Sequence, residues 1–276
     1  MRKEILRGSI CLFFMVLNSL LVHAATPQEQ YRKAISLLLP ANNRQSDQND
    51  AINLLRVAAG NGYSPAQTAL ACAYEQGFVV TQDIQQAIGW YKKAAEQGDW
   101  IAQFSLGRIY FIGGPVSRDT AMAKKWLELA AADERDSGAA FLLGLLNDDG
   151  QGTATNYKVA EKWYRQAAER GNPFAMEKLG LLLLKGVVAD PGPKNREEAY
   201  VFFLAAAALG NHQVDQQLQS IEADLGKNSA DAAREKALDL RDRIYGYSQG
   251  QCSGWYGQFS STPMPPPLDR QLECER

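Results

Sequence analysis

A pattern of apolar and small residues recurs along the chain at intervals of 36 to 39 residues. Each copy starts with an alanine, and these alanines are Ala51, Ala87, Ala123, Ala160 and Ala199. Three residues later comes a large apolar side chain, which is Leu54, Trp90, Trp126, Trp163 or Phe202. The seventh and eighth residues after the first alanine are again alanines in every copy. Positions 0, 3, 7 and 8 share one face of an α-helix, so the pattern predicts five amphipathic helices with the large residue buried.

A second helix is predicted in each copy, after a glycine that ends the first. In the second copy Gly98 ends the first helix, and Ala102 and Leu106 lie four residues apart on the next. The third copy has Glu134 in place of the glycine. Small residues stand where the two helices of a copy should cross closely, and these are Ala71, Gly107, Gly144 and Gly180. A period of this length predicts stacked repeats, each too small to bury its own apolar face.

Two segments resemble Sel1-like repeats, which belong to a tetratricopeptide-related family of short α/α solenoids. Residues 87–110 read AIGWYKKAAEQGDWIAQFSLGRIY, and residues 160–171 read AEKWYRQAAERG. The resemblance extends over about residues 50 to 226, although Gln219 and Glu222 stand where Gly and Tyr are usual in the family. It implies an all-α, right-handed α/α solenoid of about five repeats that acts as an adaptor or regulator. It also implies an exported bacterial protein, because many bacterial members of the family are exported.

The N-terminus has the three parts of a secretory signal peptide. Basic residues come first, the apolar stretch Ile10 to Val22 follows, and Ala24 ends a small-residue cleavage site. The apolar stretch is 13 residues long, which is too short to span a bilayer as a helix. We therefore predict cleavage after Ala24, a periplasmic or secreted location, and no stable membrane insertion afterwards. An uncleaved anchor is the alternative.

Different segments flank the repeats. We predict an N-terminal capping helix and linker over residues 25–49, repeats over 50–227, and a C-terminal helix with an aromatic, Pro-rich tail over 228–276. The capping helix should span Gln28 to Leu39, and Ser229 should be the N-cap of the C-terminal helix. The helix from Ala199 to Leu209 is apolar on every side, so the C-terminal helix and tail should cover it. The tail could instead be a recognition element.

Charge and cysteine content narrow the partner and the compartment. The formal net charge is −2, and it becomes about −4 without residues 1–24, so no basic field favours nucleic acid. Cys72 lies within a repeat, while Cys252 and Cys274 flank the tail. An oxidising compartment would favour a Cys252–Cys274 disulfide, with free thiols or an intermolecular bridge as the alternatives.

Catalytic signals are few. His212 is the one histidine after residue 24, and Cys72 is too many repeats away to form a nucleophile–base pair with it. The segment 147–152, NDDGQG, lacks the alternating acidic ligands of a calcium loop. We therefore predict a protein that is not an enzyme and that has no metal or cofactor.

The outward positions of the first helices are the predicted partner-binding surface. The residues that we predict to contact a partner are Tyr91, Lys92, Lys125, Tyr164 and Arg165. The alternative is a solvated helix face with pairs such as Lys92–Glu96 and Glu161–Arg165, and tyrosines that pack against the next repeat.

The predicted function is an exported, non-catalytic scaffold that binds a partner protein in the cell envelope. One alternative is an immunity-type protein that neutralises a toxic effector in the periplasm. Another is a hydrolase that acts on the cell wall or on antibiotics.

Overall fold

The computed structural model describes residues 25–38, 44–148, 155–188 and 192–250, with side chains as far as residue 244. All regular elements in these ranges are helical, and a short 3₁₀ helix, His212–Val214, follows the tenth α-helix. The α-helices of the described ranges are α1 (Pro27–Leu38), α2 (Gln45–Gly60), α3 (Ser64–Gln76), α4 (Ile84–Ala95), α5 (Trp100–Ile112), α6 (Thr120–Ala131), α7 (Gly138–Asp148), α8 (Tyr157–Glu169), α9 (Pro173–Lys185), α10 (Pro193–Ala208), α11 (Asp215–Leu225) and α12 (Lys227–Gly250).

The helices stack in pairs. The most extensive contacts join α1 to α2, α3 to α4, α5 to α6, α7 to α8, and α9 to α10. Weaker contacts join each pair to the next in chain order, and short connections make consecutive helices run in opposite directions. The result is the predicted all-α solenoid, in which each pair packs mainly against its neighbours.

The largest core side chains stand one position later than the sequence predicts. The fourth residue after each starting alanine is fully buried, and these residues are Leu55, Tyr91, Leu127, Tyr164 and Phe203. Of the three tryptophans predicted to be buried, Trp126 is 7% exposed, whereas Trp90 and Trp163 are half-buried. Trp90 and Trp163 each pack against the apolar clusters of two neighbouring repeats. The prediction is confirmed for Trp126 and wrong for Trp90 and Trp163, because position 3 lies at the margin between repeats.

Glycines let the helices of three pairs, α5–α6, α7–α8 and α9–α10, approach closely. A Cβ atom on Gly107 would lie 2.6 Å from Leu127 Cγ, and one on Gly144 would lie 2.3 Å from Tyr164 Cε1. Gly180 has the same relation to Phe203, at 2.7 Å. The close approach is therefore confirmed, but it joins the second helix of one copy to the first helix of the next. The tightly packed unit begins with the helix that the sequence pattern treated as second.

Both ends of the stack are covered by helices. Helix α1 lies in the segment predicted as a capping helix and linker, and α2 begins at Gln45, inside the same segment. Helix α12 begins at Lys227, so Ser229 lies inside it and not at its N-cap. Helix α12 packs on α10, and its residues Ala230, Ala233 and Leu240 belong to the same apolar cluster as Tyr200 and Phe203 of α10.

Several predictions fall outside the described residues. These are the signal peptide over residues 1–24, the aromatic tail, and the Cys252–Cys274 disulfide. The second helix of the fifth copy, in which Gln219 and Glu222 depart from the family pattern, is present as α11, Asp215–Leu225. Cys72 is a buried, free thiol.

Candidate protein-binding face

Helices α4, α6 and α8 each start with an Asp or Asn side-chain cap, as α5 and α9 also do. The carboxylates of Asp83 and Asp119 accept hydrogen bonds from backbone N–H groups three residues later, at 3.0 and 2.9 Å. The Asn156 amide oxygen accepts the corresponding bond in α8, at 3.2 Å. These caps satisfy N–H groups that a helix start leaves without partners, and they fix where α4, α6 and α8 begin.

The outward faces of α4, α6 and α8 differ from that of α10. Helices α4, α6 and α8 each make their main contacts with the preceding and the following helix, whereas α10 also packs against α12. Cationic side chains are frequent on the three faces, and we call this surface the basic face: Lys92, Lys93, Lys124, Lys125, Lys162 and Arg165.

Two of the cations lie over half-buried or buried indole rings. The Lys93 ammonium is 4.1 Å from the centroid of the Trp90 ring, and the Lys125 ammonium is 5.4 Å from that of Trp126. An ammonium group at these distances is attracted to the ring face. Lys92 and Lys125 form no ion pair with any described residue. The basic face thus combines the half-buried Trp90 ring on α4 with positive charge on α4 and α6 that a partner could neutralise.

Arg165 differs from the lysines because its charge is balanced within the chain. Its guanidinium pairs with Glu161 at 2.9 Å and with Glu198 at 2.6 Å, and it lies 5.9 Å from the Phe202 ring. The predicted Glu161–Arg165 pair is therefore confirmed. A Lys92–Glu96 pair is not found among the described residues, whereas Lys124 and Glu128 are 3.8 Å apart. Arg165 is thus neutralised by ion pairs within the chain, as in the alternative of a solvated helix face. The positive charge that a partner could meet on this face is therefore that of the lysines.

Tyr91 and Tyr164, predicted as partner contacts, lie in the core. Both are 0% exposed. The Tyr91 hydroxyl donates to Glu75 Oε2 at 2.8 Å, and the Tyr164 hydroxyl donates to Asp148 Oδ2 at 3.1 Å. Burial raises the pKa of Tyr91, so its phenol stays protonated as a donor. The structure thus corresponds to the alternative in which the tyrosines pack between helices, since a fully buried ring offers no surface to a partner.

The sequence contained a signal for this tyrosine role. An acidic residue stands sixteen positions before each tyrosine, Glu75 before Tyr91 and Asp148 before Tyr164. In the copy that has Leu127 in the tyrosine's place, the residue sixteen positions earlier is Phe111. The acidic residue is therefore present in the copies that have the tyrosine, because a buried hydroxyl donor requires an acceptor.

A buried polar cluster joins three helices around Tyr91. Arg108 of α5 forms an ion pair with Glu75 of α3, and their side chains are 10% and 11% exposed. Cys72 lies beside them, and burial raises the pKa of its thiol to about 12. Sequence reasoning missed Arg108, because its position is occupied by Leu145 and Leu181 in later copies and shows no periodicity.

A second polar cluster holds the irregular turn of the third copy. The buried Asp136 carboxylate accepts backbone bonds from Gly138 and Ala139 and caps α7. Arg170 Nη1 donates to the carbonyls of Ala131, Asp133 and Asp136, at 3.1, 3.1 and 2.7 Å. Burial raises the pKa of Asp136 to about 7, although the backbone bonds oppose this rise. The third copy has Glu134 where the other copies have a glycine, and its turn is held by the hydrogen bonds from Arg170 to the three carbonyl groups.

Metal-binding clusters and membrane-spanning helices are two further features that bear on function. In the described ranges, no group of three or more His, Cys, Asp or Glu side chains is arranged to hold a metal ion. None of the helices in those ranges is both long enough and apolar enough to span a bilayer. His212 lies in the short 3₁₀ helix before α11.

The architecture defines a helical repeat protein of the α/α solenoid class. Four segments match the Sel1 repeat, at residues 64–99, 100–133, 137–172 and 173–211, which together make up just over half of the chain. The protein therefore belongs to the Sel1 repeat family. The matched segments coincide with the pairs α3–α4, α5–α6, α7–α8 and α9–α10, which agrees with the packing unit set by the glycines.

A solved structure and two regulators resemble the chain. A Sel1 repeat protein from Oxalobacter formigenes has a TM-score of 0.63 and 26% identity, over 81% of this chain and 89% of that one. A chitin synthase regulator of Saccharomyces cerevisiae is 35% identical over 48% of this chain, and an exopolysaccharide production negative regulator of Rhizobium leguminosarum is 29% identical over 51%. The chain spans 19% of the length of the yeast protein and 57% of the length of the Rhizobium protein.

Proposed function

We propose that the protein is a non-catalytic adaptor or regulator of the cell envelope that binds an acidic segment of a partner protein on the basic face. The observation that carries this proposal is the contrast between α10 and its equivalents. Helix α12 lies on α10, whereas the corresponding faces of α4, α6 and α8 have no principal helix contact among the described residues. Lys92 and Lys125 on these faces form no ion pair there, so an acidic segment would find positive charge beside aromatic surface.

Two further observations support the regulatory and envelope parts of the proposal. The names of two relatives state that they regulate chitin synthase and exopolysaccharide production. The N-terminal sequence has the basic, apolar and small-residue parts of a secretory signal. A scaffold that holds a biosynthetic or structural protein at the envelope would combine these features.

Charge reversal on the basic face should remove partner capture. In the variant Lys92→Glu/Lys125→Glu, we expect capture of the main envelope partner to fall at least about tenfold, because like charges then face the acidic segment. The measurement is affinity purification from envelope extracts with quantitative mass spectrometry. Arg165 is left unchanged, since replacing it would strand Glu161 and Glu198.

The matched control is Lys33→Glu/Lys227→Glu, which changes the net charge equally at exposed positions of α1 and α12. Both variants should keep the wild-type circular dichroism spectrum. Undiminished capture by the Lys92→Glu/Lys125→Glu variant would reject the basic face as the binding site and leave the face merely solvated.

The envelope location has its own test. We expect the mature protein to begin at Ala25 and to be released from cells by osmotic shock, because the signal sequence should be cleaved after Ala24. The N-terminus of the protein in the shock fluid is measured by mass spectrometry, with a known cytosolic protein as the leakage control. An intact Met1 terminus in the cell pellet would contradict export.

A further inference from the structure

A glycine on the basic face lies inside a helix without a packing reason within the chain. Gly107, Gly144 and Gly180 also lie inside helices, and each leaves room for a large side chain of the next helix. Gly89, in the middle of α4, is exposed, and a Cβ atom on it would meet no atom within 4 Å. Glycine destabilises a helix interior relative to alanine. The missing side chain at Gly89 therefore fits close approach by another molecule.

Helix α12 shows what packs on a face of this kind. The repeat pattern makes Val201 and Phe202 of α10 equivalent to Gly89 and Trp90 of α4, since they follow the starting alanines by two and three residues. Val201 and Phe202 border the cleft between α10 and α12 together with Leu240. The buried residues of α12 are three and four positions apart, as in a helix that packs along another helix: Ala230, Ala233, Ala237 and Leu240. Helix α4 thus presents the same positions without a helix like α12 on them.

The aromatic ring beside Gly89 is also left partly uncovered. Trp90 is half-buried, and the Lys93 ammonium lies 4.1 Å from the centroid of its ring. Trp126, at the same position of α6, is only 7% exposed. The part of the Trp90 ring that remains at the surface offers apolar area next to the open glycine, so a partner helix could bury both together.

The charge around Gly89 can be counted completely, because the structure describes every residue from 44 to 148. Helices α4 and α6 carry four lysines, which are Lys92, Lys93, Lys124 and Lys125. The acidic residues of the two helices and their caps are Asp83, Glu96, Asp119 and Glu128. Asp83 and Asp119 are held as N-caps, and Glu128 pairs with Lys124. The three other lysines thus outnumber Glu96, so this face favours an acidic partner.

We propose that the partner contributes an acidic amphipathic helix, which packs across α4 at Gly89 in the way that α12 packs on α10. This inference rests on the proposed function, because it names the kind of segment that the basic face binds. Small apolar residues three and four positions apart would lie against Gly89 and Trp90, and acidic residues beside them would reach Lys92 and Lys125. An extended acidic segment would bind the lysines without needing a glycine in the middle of α4.

The test uses a peptide derived from α12 as the probe. It comprises residues 227–244 with the substitutions Lys236→Glu, Arg241→Glu and Arg243→Glu, which keep the apolar spacing and make the peptide acidic. Fluorescence anisotropy of the labelled peptide measures binding to the full-length protein, and circular dichroism follows the helix content. We expect saturable binding with a gain of helix, because an isolated helix of this length is only marginally stable in water.

A second peptide tests whether the helix itself is needed. It carries Ala233→Pro and Ala237→Pro in addition, so its charge is the same but its helix is broken. This peptide should bind at least about tenfold more weakly, since breaking a helix costs more than the free energy of a tenfold change in affinity.

The variant Gly89→Ala separates binding from stability. In the free protein it should raise the melting temperature by about 2–4 °C, because alanine is the better helix former. The acidic peptide should nevertheless bind at least about fivefold more weakly, since the added methyl group would lie between two closely packed helices. Gly60→Ala is the matched control, because a Cβ atom there also meets no atom within 4 Å but Gly60 is the last residue of α2. This control should bind the peptide like wild type.

Three results would overturn the inference. They are no binding of the acidic peptide by the wild-type protein, equal binding of the proline peptide, and equal binding by the Gly89→Ala variant. The proposed function is judged separately, by partner capture with the Lys92→Glu/Lys125→Glu variant. If capture depends on these lysines while the peptide results are negative, the basic face binds an acidic segment that is not a helix of this kind. A dimer of the protein that Gly89→Ala weakens would assign the face to a second copy and would likewise contradict the inference.

Discussion

Replacing Tyr164 with Ala should lower the free energy of unfolding by about 3–5 kcal/mol, the range found for large aromatic residues removed from cores. Tyr164 is 0% exposed, and its ring lies where a Cβ on Gly144 would be. The glycine leaves the neighbouring helix without a side chain that could fill the resulting cavity. The substitution also removes the hydroxyl that donates to Asp148. Chemical denaturation followed by circular dichroism measures the change.

Two companion variants separate the causes of this loss. Tyr164→Phe keeps the ring and removes the hydrogen bond, which should cost about 1 kcal/mol. Trp163→Ala should cost less than Tyr164→Ala, because Trp163 is half-buried at the margin between repeats. A larger loss for Trp163→Ala would contradict the placement of the core at the fourth position.

The sequence predicted the repeat length, the helices and most core positions. The alanines at positions 0, 7 and 8 are buried as expected, as Ala87, Ala94 and Ala95 show. It could not decide between positions 3 and 4, because both lie beside the same helix face. The prediction placed Trp90 in the core because it is the larger side chain, yet it is the smaller Tyr91 that packs in the core cluster with Ala71. The angle between helices decides which position points inward, and small residues of the partner helix set that angle.

The candidate site was predicted unevenly. The lysines of the basic face are on the surface, as expected, because charged side chains are costly to bury. The tyrosines were misplaced because one polar hydroxyl does not distinguish a surface ring from a buried ring with an acceptor. The Glu75–Arg108 pair joins residues 33 positions apart and occurs once, so neither spacing nor repetition indicated it.

Replacing Arg108 with Met should lower the free energy of unfolding by about 3–5 kcal/mol, as is usual when one partner of a buried ion pair is removed. The Glu75 and Arg108 side chains are 11% and 10% exposed, so the remaining carboxylate would be left in a site with little water. Tyr91 would still donate to Glu75, but one neutral hydrogen bond does not balance a buried charge. The measurement is again chemical denaturation, with the m-value checked for two-state behaviour.

The double variant Glu75→Gln/Arg108→Met tests whether the stranded charge causes the loss. The new glutamine would keep an amide oxygen for the Tyr91 hydroxyl, and the new methionine would fill most of the volume of the arginine. Replacing both members of a buried pair by neutral groups is often nearly neutral, so the double variant should regain most of the stability. The single variant Glu75→Gln should be destabilised as well, because it leaves the Arg108 guanidinium unpaired. If the double variant is as unstable as the sum of the two singles, the pair acts through packing and not through charge, and α3 and α5 are held together by shape alone.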